Sequence, residues 1–237
     1  MRAIKQPSEI KALEHAAKLT VDAFEAVKQQ IATYKYEYEI EADFTAWFRR
    51  HDARHAYEPI VAAGQAATTL HYIGNNQPFH AKDLVLIDIG ARKDGYCADV
   101  TRTYAKRQPS KRQVAVHHAV TEAQTEIIGL LRPGLSVREY HEQVDKIMVR
   151  ACKQIGLVAT DDETLIRRYM PHAVSHGLGI DTHDALGRPT EFVESMVLTV
   201  EPGIYIPEEG VGVRIEDDIL VTAQGHRSLT GRLSTDW

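Results

Sequence analysis

Apolar positions in the first part of the chain recur with the spacing of α-helices. A run that begins at Pro7 keeps one apolar face for more than five turns, made of Ile10, Leu13, Ala17, Val21, Phe24, Val27 and Ile31. A second helical pattern follows across Ile40, Phe44, Trp47 and Phe48. Because an α-helix repeats about every 3.6 residues, both patterns predict helices with one buried face.

The spacing then shortens to that of β-strands. Four short runs, PIVAAG, TTLHYIG, LVLIDIG and DVTRTYA, are separated by segments rich in Gly, Asn, Asp and Lys. Such runs between turn residues are typical of strands. They predict a sheet that follows the two helices.

The same order of elements recurs in the second part of the chain. A helical pattern from Val114 to Leu131 ends at Arg132-Pro133-Gly134, and a further helix starts at Ser136, whose spacing to Glu139 fits a capping box. Its apolar stripe comprises Val137, Tyr140, Val144, Ile147, Met148 and Ala151. Strand-like runs return in MVLTVEPGIYI and VGVRIEDDILVT. The chain therefore reads as one domain of two related α/β halves, roughly 1–110 and 111–237.

Each half places a pair of carboxylates at the ends of its strand-like runs. Asp88 and Asp99 stand 11 positions apart in the first half, and Glu201 and Glu216 stand 15 apart in the second. A histidine in a glycine-containing stretch precedes each pair, His71 in LHYIG and His176 in SHGLG. If the halves pack about a pseudo-twofold axis, these six side chains meet at one central site.

Four gathered carboxylates need a counter-charge, because like charges a few ångströms apart cannot all stay ionised. Two divalent cations supply it, and a pair of ions bridged by carboxylates activates water against a carbonyl or phosphoryl centre. Oxygen ligands with an imidazole favour Mn²⁺, Co²⁺, Fe²⁺ or Zn²⁺, and the lack of a thiolate ligand argues against a structural zinc. We therefore expect a site for two divalent metal ions.

Composition narrows the class of protein without identifying it. The 237 residues carry a formal net charge of -5 and a hydrophobic fraction of 43%, as in ordinary globular proteins, and give no sign of a nucleic-acid partner. No apolar run is long enough to cross a membrane. The two cysteines lie far apart in no metal-binding spacing, which suits a reducing compartment. We expect a cytoplasmic location.

Taken together, the motifs resemble those of one enzyme family. The ordered set LVLIDIGARKDGYCADVTRTY, HAVSHGLGIDTHD, LTVEPGIYI and GVRIEDDILVT is similar to the pita-bread-fold metallopeptidases, in their aminopeptidase P and prolidase branch. The resemblance runs from about Arg2 to Leu233. It implies an α/β (α+β) pita-bread fold, in which each half lays helices over a curved antiparallel sheet.

The resemblance also implies a set of metal ligands. These are Asp88, Asp99, His176, Glu201 and Glu216. Asp99 and Glu216 would bridge both ions, Asp88 would bind one ion, and His176 with Glu201 would bind the other. Manganese is the metal expected first, with cobalt, zinc and iron as alternatives.

The reaction implied is hydrolysis of the peptide bond between an N-terminal residue and a proline, in an Xaa-Pro aminopeptidase or an Xaa-Pro dipeptidase. Glu201 would take the proton of the attacking water and relay it to the leaving prolyl nitrogen. Histidines that lie around the metal site in the family match His71, His172 and His183, which would bind substrate and stabilise the tetrahedral intermediate. Arg214 would orient carboxylates.

Two other functions stay open at this point. A methionine aminopeptidase has the same fold and a similar length, and a non-hydrolytic member of the fold would bind peptides or proteins without cleaving them. The motifs EPGIYI, RIEDD and DTHD favour the proline-specific branch. Members of that branch usually carry an extra N-terminal domain, which we expect to be absent here, leaving a more open site. Partners would be small peptides with proline second, and a homodimer is compatible with the family.

Overall fold

The computed structural model describes residues 2–160 and 163–237, with side chains left undescribed at 163–165. It opens with two helices, α1 (Pro7–Lys28) and α2 (Glu37–Arg50). Proline suits the first turn of α1, and the Glu9 carboxylate accepts from the backbone N–H of Gln6 at 2.7 Å, which caps the helix. Both helices bury most of their predicted apolar faces, with Ile10 and Trp47 only partly buried.

Six strands follow in the first half. They are β1 (Arg54–His55), β2 (Ile60–Ala63), β3 (Leu84–Asp88), β4 (Ala91–Lys93), β5 (Tyr96–Cys97) and β6 (Thr101–Ala105). All their pairings are antiparallel, in the orders β2-β3-β6 and β1-β4-β5. The central strand β3 is buried along its whole length, which explains its uninterrupted apolar run.

The strand predicted for TTLHYIG does not form. Strand β2 ends at Ala63, and the next residue, Gly64, has a φ of +53° that turns the chain into a short 3₁₀ helix, Gly64–Thr68. The residues after it are held by side chains: Leu70 packs beside Tyr205, and the Tyr72 hydroxyl donates to Glu37 at 2.8 Å. His71 therefore lies in a turn.

The second half begins with α3 (Lys111–Leu130) and α4 (Val137–Gln154). Ser136 accepts a hydrogen bond from the backbone N–H of Glu139 at 3.5 Å, which is one of the two bonds of the predicted capping box. A 3₁₀ helix, Glu163–Arg168, comes next.

Five strands complete the second half. They are β7 (Val197–Val200), β8 (Gly203–Ile206), β9 (Val211–Arg214), β10 (Asp217–Thr222) and β11 (Gly225–Ser228), paired antiparallel in the orders β11-β10-β7 and β8-β9. Each long predicted run is thus split into two strands. The breaks fall at Glu201-Pro202 and at Ile215-Glu216. Proline lacks the N–H that a ladder needs, so the first break is built into the sequence.

The halves meet along the strands that carry the carboxylates. Thr101 and Glu216 form an isolated antiparallel bridge between the two halves. Beside it the guanidinium of Arg102, which is fully buried, donates to the carbonyl oxygens of Glu216 and Leu233 and to the carboxylate of Asp217. Each half also has its own apolar core. No helix in the described part of the chain could span a membrane.

Candidate metal centre

A cavity of about 850 Å³ opens where the two halves meet. Nine of its lining residues are those singled out in the sequence: His71, Asp88, Asp99, His172, His176, His183, Glu201, Arg214 and Glu216. They come from separate strands, loops and turns of both halves. The structure thus brings the whole predicted set to one place.

The first pair of carboxylates is placed by a close crossing of two chain segments. Asp88 is the last residue of β3, and Asp99 lies two residues before β6. Between them, a Cβ on Gly90 would lie 1.7 Å from the carbonyl oxygen of Ala98, so only glycine permits the crossing. The Tyr57 hydroxyl lies 2.5 Å from an oxygen of Asp88 and 2.5 Å from an oxygen of Asp99.

The second half supplies an imidazole and two further carboxylates. His176 Nε2 lies 3.4 Å from Asp99 Oδ2 and 3.3 Å from Glu201 Oε1, while its Nδ1 lies 3.0 Å from the carbonyl oxygen of Gly177. That carbonyl fixes the ring with Nε2 facing the carboxylates. Glu216 Oε2 accepts from the Thr101 hydroxyl at 2.6 Å.

The donor set fits a divalent metal ion. Asp99, His176 and Glu216 each offer a ligand atom, and these atoms lie within 4.8 Å of one another. Two carboxylates and an imidazole suit first-row divalent ions such as Mn²⁺ or Zn²⁺. Asp88 and Glu201 lie beside this group, and their carboxylates extend the same oxygen-rich surface.

Burial makes the cluster costly to ionise without a cation. The pKa of Glu201 is raised to about 7, chiefly by burial, although His176 and Arg214 oppose the rise. Burial and then the neighbouring carboxylates also raise the pKa values of Asp99 and Glu216. Divalent cations would remove this penalty, because they supply the missing positive charge.

The excess of carboxylates also changes the pKa of His176. Burial alone would lower its pKa, but the hydrogen bond and charge of Asp99, with the charge of Glu201, raise the pKa of His176 to about 9. In the metal-free protein the imidazole is therefore the local counter-charge for the carboxylates. A metal ion that binds Nε2 must displace that proton.

Arg214 forms an ion pair with one of the carboxylates, Asp88. The side chain of Arg214 is only 4% exposed. The same guanidinium donates to the hydroxyl of Tyr205 at 2.8 Å and to that of Thr101 at 3.2 Å. These bonds fix the orientation of Asp88 at the end of β3.

The two other histidines of the stretch 172–183 face the cavity differently. Both ring nitrogens of His172 are engaged, Nε2 by the Tyr205 hydroxyl at 2.9 Å and Nδ1 by the Ala173 carbonyl at 2.8 Å. Burial lowers the pKa of His172 to about 4, so its ring is neutral near pH 7. The ring of His183 packs edge-on against His176, with 4.3 Å between centroids.

The sequence interpretation missed three residues: Tyr57, which lines the cavity, and Thr101 and Tyr205, which contact cavity residues. Thr101 and Tyr205 lie inside motifs already recognised, and the alternation of a strand could have indicated them, since Thr101 shares a face with Thr103 and Asp99 precedes it by two. Tyr57 lies between β1 and β2 without any motif around it. Only the fold shows that it contacts both first-half carboxylates.

Comparison with known proteins agrees with this geometry. The model of the metallopeptidase family M24 matches residues 11–223. The chain is 38% identical to the Xaa-Pro aminopeptidase of Haemophilus influenzae, over 97% of this chain and 58% of that protein. It is 36% identical to the Xaa-Pro aminopeptidase of Escherichia coli, over 97% of this chain and 56% of the relative.

Solved structures give the same result. Proline aminopeptidase P II from Yersinia pestis superposes with a TM-score of 0.91 at 37% identity, covering 100% of this chain and 59% of that one. Zinc-substituted aminopeptidase P from Escherichia coli, in complex with product, gives 0.90 at 34% identity, with coverages of 99% and 57%.

The chain belongs to metallopeptidase family M24. The predicted pita-bread architecture of helices and antiparallel sheets is confirmed by the match to the aminopeptidase P structures. The chain spans 58% and 56% of the two curated relatives described above.

Proposed function

We propose that this chain carries the catalytic site of an Xaa-Pro aminopeptidase, which releases an N-terminal residue that precedes a proline. The observation that supports this most directly is the single cavity lined by all five predicted metal ligands together with His71, His172, His183 and Arg214. The names of the relatives point to the same reaction.

Two divalent ions would be held by Asp88, Asp99, His176, Glu201 and Glu216. Asp99 and Glu216, which lie on either side of the joint between the halves, are the proposed bridging ligands. Manganese is the proposed metal, and cobalt, zinc and iron also suit the donor set. Bound there, the ions would polarise the scissile carbonyl and lower the pKa of the attacking water.

Glu201 is the proposed general base and acid. Burial raises its pKa to about 7, a value at which a carboxyl group can both accept and return a proton near neutral pH. Its carboxylate lies beside His176 in the cavity, where substrate and water would meet. It would take the proton of water and deliver it to the leaving prolyl nitrogen.

The remaining histidines are proposed to bind substrate and to stabilise charge on the scissile carbonyl oxygen. Neutral His172 accepts from the Tyr205 hydroxyl through Nε2, and Tyr205 in turn accepts from Arg214. This chain of hydrogen bonds holds the ring in place. His71 and His183 line the same cavity and are exposed, so they are free to contact a peptide.

The cavity wall beside His71 suits the ring of proline. Ile60, Leu70 and Ile73 line it, and Leu70 and Ile60 belong to one apolar cluster. The Cβ, Cγ and Cδ atoms of a prolyl ring are apolar, so they would be well placed against this wall. The proposed substrates are therefore small peptides with proline in the second position.

The test is turnover of matched peptides by the metal-loaded protein. Ala-Pro-Ala, Ala-Pro and Met-Ala-Ser would be compared after loading with Mn²⁺, Co²⁺ or Zn²⁺. We expect cleavage of peptides with proline second, and loss of at least about a hundredfold in Glu201→Gln, the scale of a missing general base. Glu194→Gln, which changes an exposed glutamate outside the cavity, is the matched control.

Other outcomes would identify the alternatives. Cleavage of Met-Ala-Ser alone would replace the proposal with a methionine aminopeptidase. A protein that binds no metal and cleaves none of the peptides would be a binding member of the fold. Cleavage of Ala-Pro but not Ala-Pro-Ala would assign an Xaa-Pro dipeptidase.

The cellular setting is part of the same proposal. A cytoplasmic location rests on the two cysteines, Cys97 and Cys152, which are buried and unpaired as suits a reducing compartment. A homodimer stays a prediction from the family resemblance.

A further inference from the structure

Arg92 lines the cavity without belonging to the metal centre. Two arginines line it within the described part of the chain, and they differ sharply. Arg214 is buried and bonded to Asp88, Tyr205 and Thr101. Arg92 is exposed on β4, and no described residue forms a hydrogen bond or an ion pair with its side chain. Arg92 therefore lines the cavity while the N–H donors of its guanidinium are unused by the described residues.

A second unpaired arginine lies directly beside it. Arg54 on β1 is the cross-strand partner of Arg92 in the antiparallel pair, so the two side chains project from the same face of the sheet. Arg54 is also exposed, and its side chain forms no hydrogen bond or ion pair with the described residues. Like charges opposite each other weaken a strand pair. An anion bound between the two guanidinium groups would offset their repulsion, because it attracts both.

Two exposed carboxylates also line the cavity, and neither forms a described ion pair with Arg92 or Arg54. Asp181 lines the cavity, but Arg2 donates to it at 2.6 Å and so neutralises it. Glu58 also lines the cavity and is exposed, where water and salt screen its charge. Within the described residues, the exposed guanidinium groups of Arg92 and Arg54 therefore have no carboxylate partner of their own and can pair with an anion.

The position of Arg92 relative to the metal centre suits peptide recognition. Arg92 follows Asp88 by four residues, and both line the same cavity. The apolar wall of Ile60, Leu70 and Ile73, assigned above to the prolyl ring, is formed by other segments of the chain. A peptide held at the metal centre by its scissile bond could therefore place a further group against Arg92.

We propose that Arg92, supported by Arg54, binds a carboxylate of the peptide substrate and gives the enzyme a preference for acidic peptides. This inference rests on the proposed function. The carboxylate has two possible sources, the side chain of an N-terminal Asp or Glu, or the C-terminal carboxylate of a short peptide. A guanidinium suits either, because its fork of N–H donors matches both oxygens of a carboxylate.

Two pairs of peptides distinguish the sources. Glu-Pro-Ala-amide against Gln-Pro-Ala-amide isolates the side chain, and Ala-Pro-Ala against Ala-Pro-Ala-amide isolates the C-terminus. We expect kcat/KM to favour the acidic member of one pair by roughly threefold to fivefold, the size of a solvent-exposed ion pair. That ratio should fall to about one in Arg92→Gln and be partly retained in Arg92→Lys.

The matched control is Arg107→Gln. Arg107 is exposed and does not line the cavity, so this variant makes the same change in net charge while leaving the selectivity ratio as in the parent protein. The ratio should also decrease with added salt. No acidic preference in either pair, or a preference that persists in Arg92→Gln, would overturn the assignment of Arg92.

Equilibrium binding of the same four peptides to the metal-loaded protein, measured by calorimetry, separates two kinds of failure. If carboxylate binding depends on Arg92 but no peptide is cleaved, the proposed function is wrong and the Arg92 site is supported. If the proline peptides are cleaved but Arg92 affects neither rate nor affinity, the Arg92 site is wrong and the proposed function is supported.

Discussion

The Thr101 hydroxyl donates to the Glu216 carboxylate at 2.6 Å, across the joint between the two halves. The backbones of the same residues are also joined, because the N–H of Glu216 donates to the carbonyl oxygen of Thr101 at 3.0 Å. Both side chains are almost completely buried. A strand of one half thus orients a proposed metal ligand of the other.

Replacing Thr101 with valine removes this bond and keeps the shape of the side chain. We expect metal affinity to fall by roughly tenfold to a hundredfold, as for other residues that orient a ligand. Metal titration by calorimetry measures it. Thr125→Val, on the exposed face of α3, is the control. Unchanged affinity in Thr101→Val would show that Glu216 is oriented by its backbone alone.

Asp99 and Asp88 should differ when each is replaced by alanine. Asp99 is one of the two proposed bridging ligands and Asp88 is not, so Asp99→Ala should lose more metal affinity and activity than Asp88→Ala. In the metal-free state the opposite ranking is expected for stability, so that Asp88→Ala is less stable than Asp99→Ala. Asp88→Ala leaves Arg214 buried without its carboxylate, a loss of about 3 kcal/mol in unfolding free energy. Burial already raises the pKa of Asp99, so its removal should cost less.

These two rankings are checked by metal titration and by chemical denaturation after metal removal. If Asp88→Ala lost more metal than Asp99→Ala, the assignment of Asp99 as a bridging ligand would be wrong. If the two metal-free variants were equally stable, Arg214 would not depend on Asp88 for its charge balance.

Tyr205→Phe tests the hydrogen-bond chain behind His172. The change removes the partner of His172 Nε2 and one acceptor of Arg214. We expect kcat on Ala-Pro-Ala to fall by roughly tenfold or more, with a smaller change in KM, because a misplaced histidine stabilises the transition state less. Steady-state kinetics measures both, with Tyr38→Phe, an exposed tyrosine on α2, as the control. An effect confined to KM would contradict a role in the transition state.

His117 should make the protein less stable in acid. Burial lowers its pKa to about 4, although Asp236 opposes the shift, and its ring packs 4.0 Å from that of Trp237 between centroids. The unfolded chain binds a proton below about pH 6.5, whereas the folded protein resists it until about pH 4. Unfolding free energy should therefore decrease as the pH falls through this window, by up to about 3 kcal/mol from this residue.

The check is a comparison of unfolding free energies between pH 7 and pH 4. His117→Phe should show a smaller decrease than the parent protein, because phenylalanine keeps the ring contact but cannot be protonated. His118→Gln alters an exposed neighbour and should follow the parent. Equal slopes in His117→Phe and the parent would mean that His117 does not titrate in this way.

The pattern of apolar residues predicted the helices well, because a helix that packs on a sheet shows its buried face at every turn. The stripe from Ile10 to Val27 marks α1, although α1 ends at Lys28, before the predicted Ile31. Strand β3 was equally clear, since LVLID is buried on both faces. TTLHYIG has the composition of a strand but forms a turn. The positive φ of Gly64 redirects the chain before it, and the Tyr72 hydroxyl is held by Glu37.

The sequence by itself determined which side chains could form the site. Motifs placed Asp88, Asp99, His176, Glu201 and Glu216 in their order along the chain, and the family resemblance assigned them as ligands. This was possible because the residues around each ligand are adjacent in sequence and form a recognisable local pattern.

Only the tertiary structure decided how those side chains are held. Tyr57 between two carboxylates, Thr101 on Glu216, Arg214 on Asp88 and the unpaired Arg92 at the cavity wall all depend on contacts between distant segments. Local periodicity reports which face of an element is buried, but not which residue lies opposite it. That information arises when the two halves pack together and their strands meet in one register.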